Sequence, residues 1–197
     1  LTWNPNYKGI DDWQLALRRK EQKMKEDPGM TFKEQYLNGL CELEMLEACT
    51  EKWHAMKVET ISLRDYLGLT EQEYDAYLQT TPGVSFQELL DGQRKTQRFR
   101  VYQLDLEHGE TRAFAFGGID ALHKAGFQQP PAAEYTLVYD GELTCPVGQD
   151  ERDILERIFA RYNQAFPPDY RGRSIAPSDV LELYDESERR YFYCDMA

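Results

Sequence analysis

The chain has 197 residues, which suits one domain of ordinary size or two small ones. Hydrophobic residues make up 41% of it and aromatic residues 13%, so it can bury a core, and disorder over most of the chain is excluded. The formal charge is −12, with −5 on residues 1–97 and −7 on residues 98–197. This balance argues against nucleic-acid binding, because such binding needs Lys and Arg to neutralise phosphates. The acidity suits either solubility or imitation of a nucleic acid that attracts a basic partner.

The cysteines and the apolar runs indicate where the protein works. Cys41, Cys49, Cys145 and Cys194 form no CxxC motif and no regular ladder, which is typical of a reduced, cytoplasmic protein. No apolar run approaches the roughly 18 residues of a membrane span. The chain opens at Leu1 without the charged and apolar regions of a signal peptide. The missing initial Met indicates a trimmed chain or a piece of a longer protein.

Residues 1–97 are predicted to be helical. A first helix, capped by Asp11 or Asp12, ends at Pro28. Thr31 and Glu34 form a capping box, in which the two side chains accept hydrogen bonds from each other's backbone N–H groups. This box predicts a long helix that runs to about residue 57. Its apolar residues recur at helical spacing and predict one buried face, made of Tyr36, Leu37, Leu40, Cys41, Met45 and Trp53.

Further start and stop signals predict three more short helices. One runs from Ser62 and stops at Gly68. Two more capping boxes, each a Ser or Thr with Glu three residues later, begin the helices after it. They are Thr70 with Glu73, and Ser85 with Glu88.

The pattern changes near Arg98 to the period-two alternation of strands. Residues 99–106 and 111–116 are predicted to form a hairpin, with His108 in its turn. The elements predicted after it are a helix over 119–124, a strand over 135–139, a helix over about 150–163, a short helix from Ser178 and a final strand over 191–194. The sequence therefore predicts an α+β fold: a helical N-terminal half over residues 1–97, then a small mixed domain over residues 98–197 with antiparallel strands and helices.

Three segments of the second half carry a family resemblance. They are 99–104 (FRVYQL), 131–143 (PAAEYTLVYDGEL) and 170–195 (YRGRSIAPSDVLELYDESERRYFYCD). These segments resemble the YodL-like domain found in accessory proteins of mobile elements of gut Firmicutes. Similar proteins continue through a Gly-Phe strand after the Cys-Asp pair, so the resemblance implies that the closing strand is clipped here. Segment 63–74 (LRDYLGLTEQEY) is similar to a helical motif of accessory proteins from the same elements. The resemblance implies an interaction module without a defined enzymatic activity.

The residue types that usually carry catalysis or metal binding are scattered. His54, His108 and His123 stand far apart, and none has a zinc-type partner four residues later. Gly117 and Gly118 precede a predicted helix, where free N–H groups attract anions, but the rest of a phosphate-binding motif is missing and a plain turn is the simpler interpretation. We therefore expect no catalytic residue, metal or cofactor.

The loop at Tyr170 has two interpretations. Arg171 and Arg173 flank Gly172, so the backbone can bend while both guanidinium groups project. The structural interpretation is that they brace the loop by pairing with an acid such as Asp169 or Asp179, or with free carbonyl groups. The functional interpretation is a docking or anion-binding site, with Tyr170 as an anchor for a partner, since Tyr and Arg are enriched in interface hot spots.

Two acidic sets are also candidates for a partner surface. Glu44, Glu47 and Glu51 recur at helical spacing and form a charged stripe on the predicted long helix. A second set lies near the predicted C-terminal helix and consists of Glu182, Asp185, Glu186 and Glu188. Either set is a solvated face or a patch that a basic partner contacts.

These observations predict a non-enzymatic, cytoplasmic accessory protein of a phage or conjugative element that binds a host or element-encoded protein. The specific hypothesis is an anti-defence inhibitor, anti-CRISPR or antirestriction, that blocks a basic nucleic-acid-binding nuclease. Direct nucleic-acid binding and membrane contact are not expected. Two alternatives stay open: a nucleotide- or anion-binding regulator or enzyme that uses Arg171 and Arg173, and a positioning domain of a longer polyprotein.

Overall fold

The computed structural model describes residues 29–56, 61–107, 109–164 and 166–195. These residues form two compact units. The helical unit comprises residues 29–56, 61–96 and 144–149, and the sheet unit comprises residues 97–107, 109–143, 150–164 and 166–195. The predicted first helix and the predicted turn at His108 lie outside the described residues.

The described residues of the helical unit contain five short helices. Side-chain oxygens of Thr31, Ser62, Thr70 and Ser85 each accept a hydrogen bond from the N–H three residues later, so these predicted helix starts are confirmed. The predicted stop at Gly68 is confirmed as well, with φ of 75°. The helices are α1 (Phe32–Leu37), α2 (Met45–Ala55), α3 (Leu63–Leu67), α4 (Glu71–Tyr77) and α5 (Phe86–Asp91). Their shared core is made of Phe32, Tyr36, Leu46, Leu67, Leu69 and Leu90.

The prediction of one long helix from Thr31 to about residue 57 is wrong, because two helices lie there. α1 ends at Leu37, and Gly39 then adopts the left-handed conformation with φ of 64°. The N–H groups of Gly39 and Leu40 donate to carbonyls of α1 at 3.0 and 2.9 Å, which closes the helix end. Leu40 and Met45, predicted on the buried face, are 63% and 44% exposed. The apolar spacing runs across two helices, and the glycine decides where the first one stops.

Four strands of the described chain form one antiparallel sheet in the order β2-β1-β3-β4. The strands are β1 (Arg94–Leu104), β2 (Tyr135–Pro146), β3 (Val180–Tyr184) and β4 (Arg189–Tyr193). The remaining elements are α6 (Gly118–Lys124), α7 (Glu151–Gln164) and two short 3-10 helices, Thr111–Ala113 and Ala132–Glu134. The predicted α+β class is confirmed, as are both helices and the strand that begins at Tyr135.

The two faces of the sheet carry different side chains. On one face Phe99 packs edge-on against Tyr162 of α7, with ring centroids 5.6 Å apart, and α7 also buries Ile154 and Ile158. Alternation along β1 points Arg98 and its every-second neighbours to the opposite face. A second apolar cluster contains Leu104, Phe114, Leu122, Val180 and Tyr193.

The prediction of a second hairpin strand over residues 111–116 is wrong. Residues Thr111–Ala113 form a 3-10 helix, while β1 pairs with β3 from far along the chain. The Thr111 hydroxyl donates to the Asp105 carbonyl at 2.6 Å, and the turn buries the Phe114 ring in the apolar cluster. A short apolar alternation fits such a turn as well as a strand, and only the distant partner strand decides between them.

The helix predicted from Ser178 is also wrong, since residues 180–184 form β3. Ser178 has φ of 76°, and its N–H donates to the Cys194 carbonyl at 2.8 Å. The Cys194 N–H donates back to the Asp179 carbonyl at 2.8 Å, so the chain enters the sheet here. All five residues of β3 are buried, as expected for a strand with neighbours on both sides. The predicted final strand is confirmed as β4.

Candidate functional site

Arg173 of the Tyr170 loop is paired with a buried carboxylate. Its two terminal nitrogens donate to the two oxygens of Asp179 at 2.8 and 2.5 Å, and no part of the Asp179 side chain is exposed. The Ala176 N–H and the Gln103 side chain donate to the same carboxylate at 2.9 and 3.1 Å. Burial raises the pKa of Asp179, and the Arg173 guanidinium opposes that rise. The structural interpretation of Arg173, pairing with Asp179, is what the geometry shows.

The loop backbone around Arg173 is held as firmly as its side chain. The Gln103 amide donates to the Arg173 carbonyl and accepts from the Arg173 N–H, both at 2.9 Å. The Tyr170 hydroxyl donates to the same carbonyl at 2.7 Å. A Cβ on Gly172 would lie 2.6 Å from the Gln103 side-chain oxygen and 2.8 Å from a methyl group of Val138. Any other residue here would force Gln103, Val138 or the loop to shift.

Tyr170 and Arg171 differ in what they leave exposed. Tyr170 is half-buried, stacks on Phe166 with ring centroids 5.1 Å apart, and contacts the rings of Tyr139 and Tyr162. Burial raises its pKa to about 12. Arg171 is exposed and makes no hydrogen bond or ion pair with the described residues. The predicted contact at this loop therefore reduces to the Arg171 side chain and the exposed edge of the Tyr170 ring.

At the Gly117-Gly118 pair, where α6 begins, a carboxylate of the protein itself takes the position that an anion would occupy. The Ile119 N–H at the start of α6 donates to the Asp195 side chain at 2.7 Å and is therefore not available to an external anion. A Cβ on Gly117 would lie 2.4 Å from the Cβ of Ala121, so the glycine is required by packing. The plain-turn interpretation fits this geometry.

The opposite face of the sheet carries an arrangement that the sequence patterns did not single out. Arg98 of β1 pairs across the sheet with Tyr184 of β3, and Tyr184 pairs with Arg189 of β4. We call these three residues the arginine–tyrosine row. The guanidinium carbons of Arg98 and Arg189 lie 4.7 and 5.8 Å from the centroid of the Tyr184 ring, and that of Arg100 lies 4.4 Å from it. Such stacking holds guanidinium groups in place.

A fully buried carboxylate lies in the next row of the sheet. Glu182 has no exposed side-chain surface, and it accepts hydrogen bonds from the Tyr102 hydroxyl at 2.6 Å and from Arg189 at 3.3 Å. Arg100 lies 3.6 Å from it. Burial and the bond to Glu182 raise the pKa of the Tyr102 hydroxyl. Glu182 is thus part of the sheet interior and is not a member of an exposed acidic set on a helix, as the sequence had suggested.

Asp140 on β2 completes the support of the row. It accepts from Arg100 at 2.9 Å and from the Tyr184 hydroxyl at 2.5 Å. Burial raises the pKa of Asp140, but the bonds from Tyr184 and Arg100 outweigh this effect and lower the pKa below its ordinary value. The arginine–tyrosine row and the β3–β4 turn at residues 185–188 line a cavity of about 580 Å³.

The sequence carried one signal for this face of the sheet. Arginines stand at alternate positions in β1, at 98 and 100, and therefore share a face. The wrong helix prediction at Ser178 hid their partners, because Tyr184 and Glu182 could not be placed across a sheet.

The acidic stripe lies on α2 in the helical unit. Glu44 is the residue before the helix, Glu47 and Glu51 lie on it, and all three are exposed. None makes a hydrogen bond or ion pair with another described residue. Met45, next to Glu44, is 44% exposed. The structure thus presents carboxylates and an apolar side chain to solvent on one short helix.

Several other groups carry no site within the described ranges. His54 and His123 are exposed. In these ranges no three His, Cys, Asp or Glu side chains come close enough together to hold a metal ion. Every helix described is too short or too polar to cross a bilayer.

The geometry defines an α+β protein with a polar, arginine-rich sheet face and a separate acidic helix. The sequence model of the YodL-like domain matches residues 98–197, and the chain belongs to this family. No curated protein and no solved structure matches the chain.

Proposed function

We propose that this protein is a non-enzymatic accessory protein that binds another protein through the acidic stripe Glu44, Glu47 and Glu51 on α2. The observation that carries the proposal is that these three carboxylates are exposed and lack a cationic partner among the described residues. Unpaired carboxylates on one helix face attract a basic surface and repel nucleic acid. The neighbouring exposed side chain of Met45 offers apolar contact area that a charged patch alone lacks.

The finer proposal is that the partner is a host defence nuclease, which the protein inhibits in the cytoplasm. A nuclease presents Lys and Arg to the phosphates of its substrate, so its substrate cleft is complementary to a row of carboxylates. The resemblance to accessory proteins of mobile elements favours a target in host defence. Occupation of the cleft would exclude the nucleic acid without any chemistry by the inhibitor.

The test is a charge reversal on α2 with a matched control. E44K/E47K/E51K reverses the stripe, and E107K/E110K/E186K reverses three exposed acids of the sheet unit with the same change in net charge. Each protein serves as bait in a bacterial lysate, and bound proteins are identified by mass spectrometry. The purified partner is then assayed for nuclease activity against increasing amounts of each protein.

We expect the wild type and the control to retain one stoichiometric nuclease and to inhibit it near a 1:1 ratio. The α2 variant should lose at least about tenfold in affinity, since close charge pairs at interfaces contribute about 1.5 kcal/mol or more. A partner held equally by both variants would contradict the assignment to α2. A stoichiometric partner whose nuclease activity is unaffected would contradict the inhibitor proposal alone.

A further inference from the structure

The cavity beside the arginine–tyrosine row contains N–H donors that have no acceptor among the described residues. Arg98 is 52% exposed, its nearest carboxylate is Glu142 at 3.9 Å, and its guanidinium makes no hydrogen bond with the described residues. Arg189 is 57% exposed, directs one N–H to Glu182 at 3.3 Å and makes a further hydrogen bond with the Tyr191 side chain. A guanidinium has five N–H donors, so most of those on this pair remain available to a ligand.

These donors are held in place before any ligand arrives. Arg98 and Arg189 stack on the same Tyr184 ring, whose hydroxyl is bonded to Asp140 at 2.5 Å. The two arginines lie on strands two positions apart, which separates their Cα atoms by about 10 Å. Long side chains at this distance can both reach one group between them, at a lower entropic cost than free arginines would incur.

Carboxylates near the cavity limit what it can bind. Asp185, Glu186 and Glu188 line it together with the three arginines. Asp185 accepts from the N–H groups of Ser187 and Glu188 at 2.7 and 2.9 Å, and Glu188 lies 3.5 Å from Arg190. Of these arginines, Arg100 lies against the carboxylates of Asp140 and Glu182. Glu186 is exposed and makes no contact of this kind with the described residues, so it is the carboxylate whose charge most directly opposes an anion.

The geometry points to a binding site for a phosphorylated small molecule, whose phosphate accepts hydrogen bonds from Arg98 and Arg189. A phosphate offers three acceptor oxygens, which matches two partly free guanidinium forks better than a single carboxylate does. The cavity of about 580 Å³ lies in the range of small-molecule sites and leaves room for a group attached to the phosphate. This site lies in the sheet unit and is independent of the acidic stripe on α2.

The test is calorimetric titration of the full chain with AMP and, separately, with inorganic phosphate at low ionic strength. R98Q/R189Q removes both free forks and should weaken binding at least about tenfold, since hydrogen bonds between charged groups are the strong ones. Arg171→Ala removes an exposed arginine of the same unit that makes no hydrogen bond or ion pair with the described residues, and it should change the affinity less than about twofold. Glu186→Gln removes the opposing charge and should tighten binding about threefold.

The two ligands separate the sources of the phosphate. Tighter binding of AMP means that the attached group also contacts the cavity, and equal binding means that the phosphate alone is recognised. Failure of both ligands to bind the wild type at millimolar concentration overturns the proposal, as does equal binding by R98Q/R189Q and wild type. Circular dichroism checks the fold of each variant. R98K/R189K, which keeps the charges but removes the forks, gives a second test if the glutamine pair unfolds; binding should weaken, by less than for the glutamine pair because the charges remain.

Discussion

Two buried carboxylates of the sheet unit, Asp179 and Glu182, each lie against an arginine, yet their surroundings differ. Asp179 receives two bonds from Arg173, one from the Ala176 N–H and one from the Gln103 side chain. Glu182 is bonded to Tyr102 and to one nitrogen of Arg189, whose guanidinium otherwise remains 57% exposed. The first arrangement uses its arginine to hold the loop, and the second leaves N–H groups that a ligand can reach. Both arginines are therefore paired with a buried acid, and this pairing does not distinguish their roles. They differ in how many guanidinium N–H donors remain free for a ligand.

The substitution expected to lower the free energy of unfolding most is Asp179→Asn. The amide cannot balance the charge of Arg173, which would then lie beside the loop without a counter-charge. Breaking a buried ion pair by changing one partner typically costs about 3 kcal/mol or more of unfolding free energy. Urea denaturation at pH 7 measures the loss. Arg171→Ala, which has no hydrogen bond or ion pair with the described residues to lose, should stay within about 0.5 kcal/mol of the wild type. A loss below about 1 kcal/mol for Asp179→Asn would contradict the role of this pair as the brace of the loop.

A smaller effect is expected from Gly172→Ala, which tests the backbone half of the same brace. The new methyl group would lie 2.6 Å from the Gln103 side-chain oxygen, so either the loop or Gln103 has to move. Overpacking of this kind costs about 1–3 kcal/mol. Thermal unfolding compares it with Gly109→Ala, where a Cβ meets nothing within 4 Å. Equal melting temperatures for the two variants would contradict the tight packing around Gly172.

The smallest effect belongs to Asp140 beneath the arginine–tyrosine row. Its pKa is lowered in the folded protein, so its contribution to stability is present above the ordinary carboxyl pKa and is lost as pH falls through the folded-state pKa. Asp140→Asn should therefore be less stable than the wild type at pH 7, by under about 1 kcal/mol because the carboxylate is partly solvated. The difference should shrink toward pH 3 in urea denaturation curves. Glu186→Gln, which changes an exposed acid that has no partner among the described residues, serves as the control. A pH-independent deficit for Asp140→Asn would indicate lost packing instead of lost charge.

Local signals predicted the helical unit well, and they failed where distant strands meet. Capping boxes such as Thr70 with Glu73 act within one turn, so their geometry follows from neighbouring residues alone. The left-handed stop at Gly39 overrode the apolar spacing that predicted one long helix. The strand at residues 180–184 was predicted as a helix because Ser178-Asp179 is a common helix start. In the structure the Ser178 N–H and the Asp179 carbonyl are instead hydrogen-bonded to the backbone of Cys194.

The candidate site shows the same division. The acidic stripe could be named from the sequence, because residues three and four apart share a helix face whichever tertiary structure surrounds them. Arg171 and Arg173 could also be named, but their different roles could not, since Asp179 and Gln103 reach Arg173 only through the fold. The arginine–tyrosine row was missed because Arg98 lies on β1, far along the chain from Tyr184 and Arg189 on β3 and β4.

The sequence by itself determined the α+β class, the starts of the capped helices, the family resemblance and the acidic surface of α2, because each depends on composition or on short stretches of consecutive residues. Only the tertiary structure decided the strand order, the burial of Asp179 and Glu182, and which guanidinium groups keep free donors. These features depend on contacts between residues some 80 positions apart, such as the Tyr102–Glu182 hydrogen bond. The hydrophobic pattern of each strand limits its register, but the match between β1 and β3 joins residues about 80 positions apart and is made only in the folded chain.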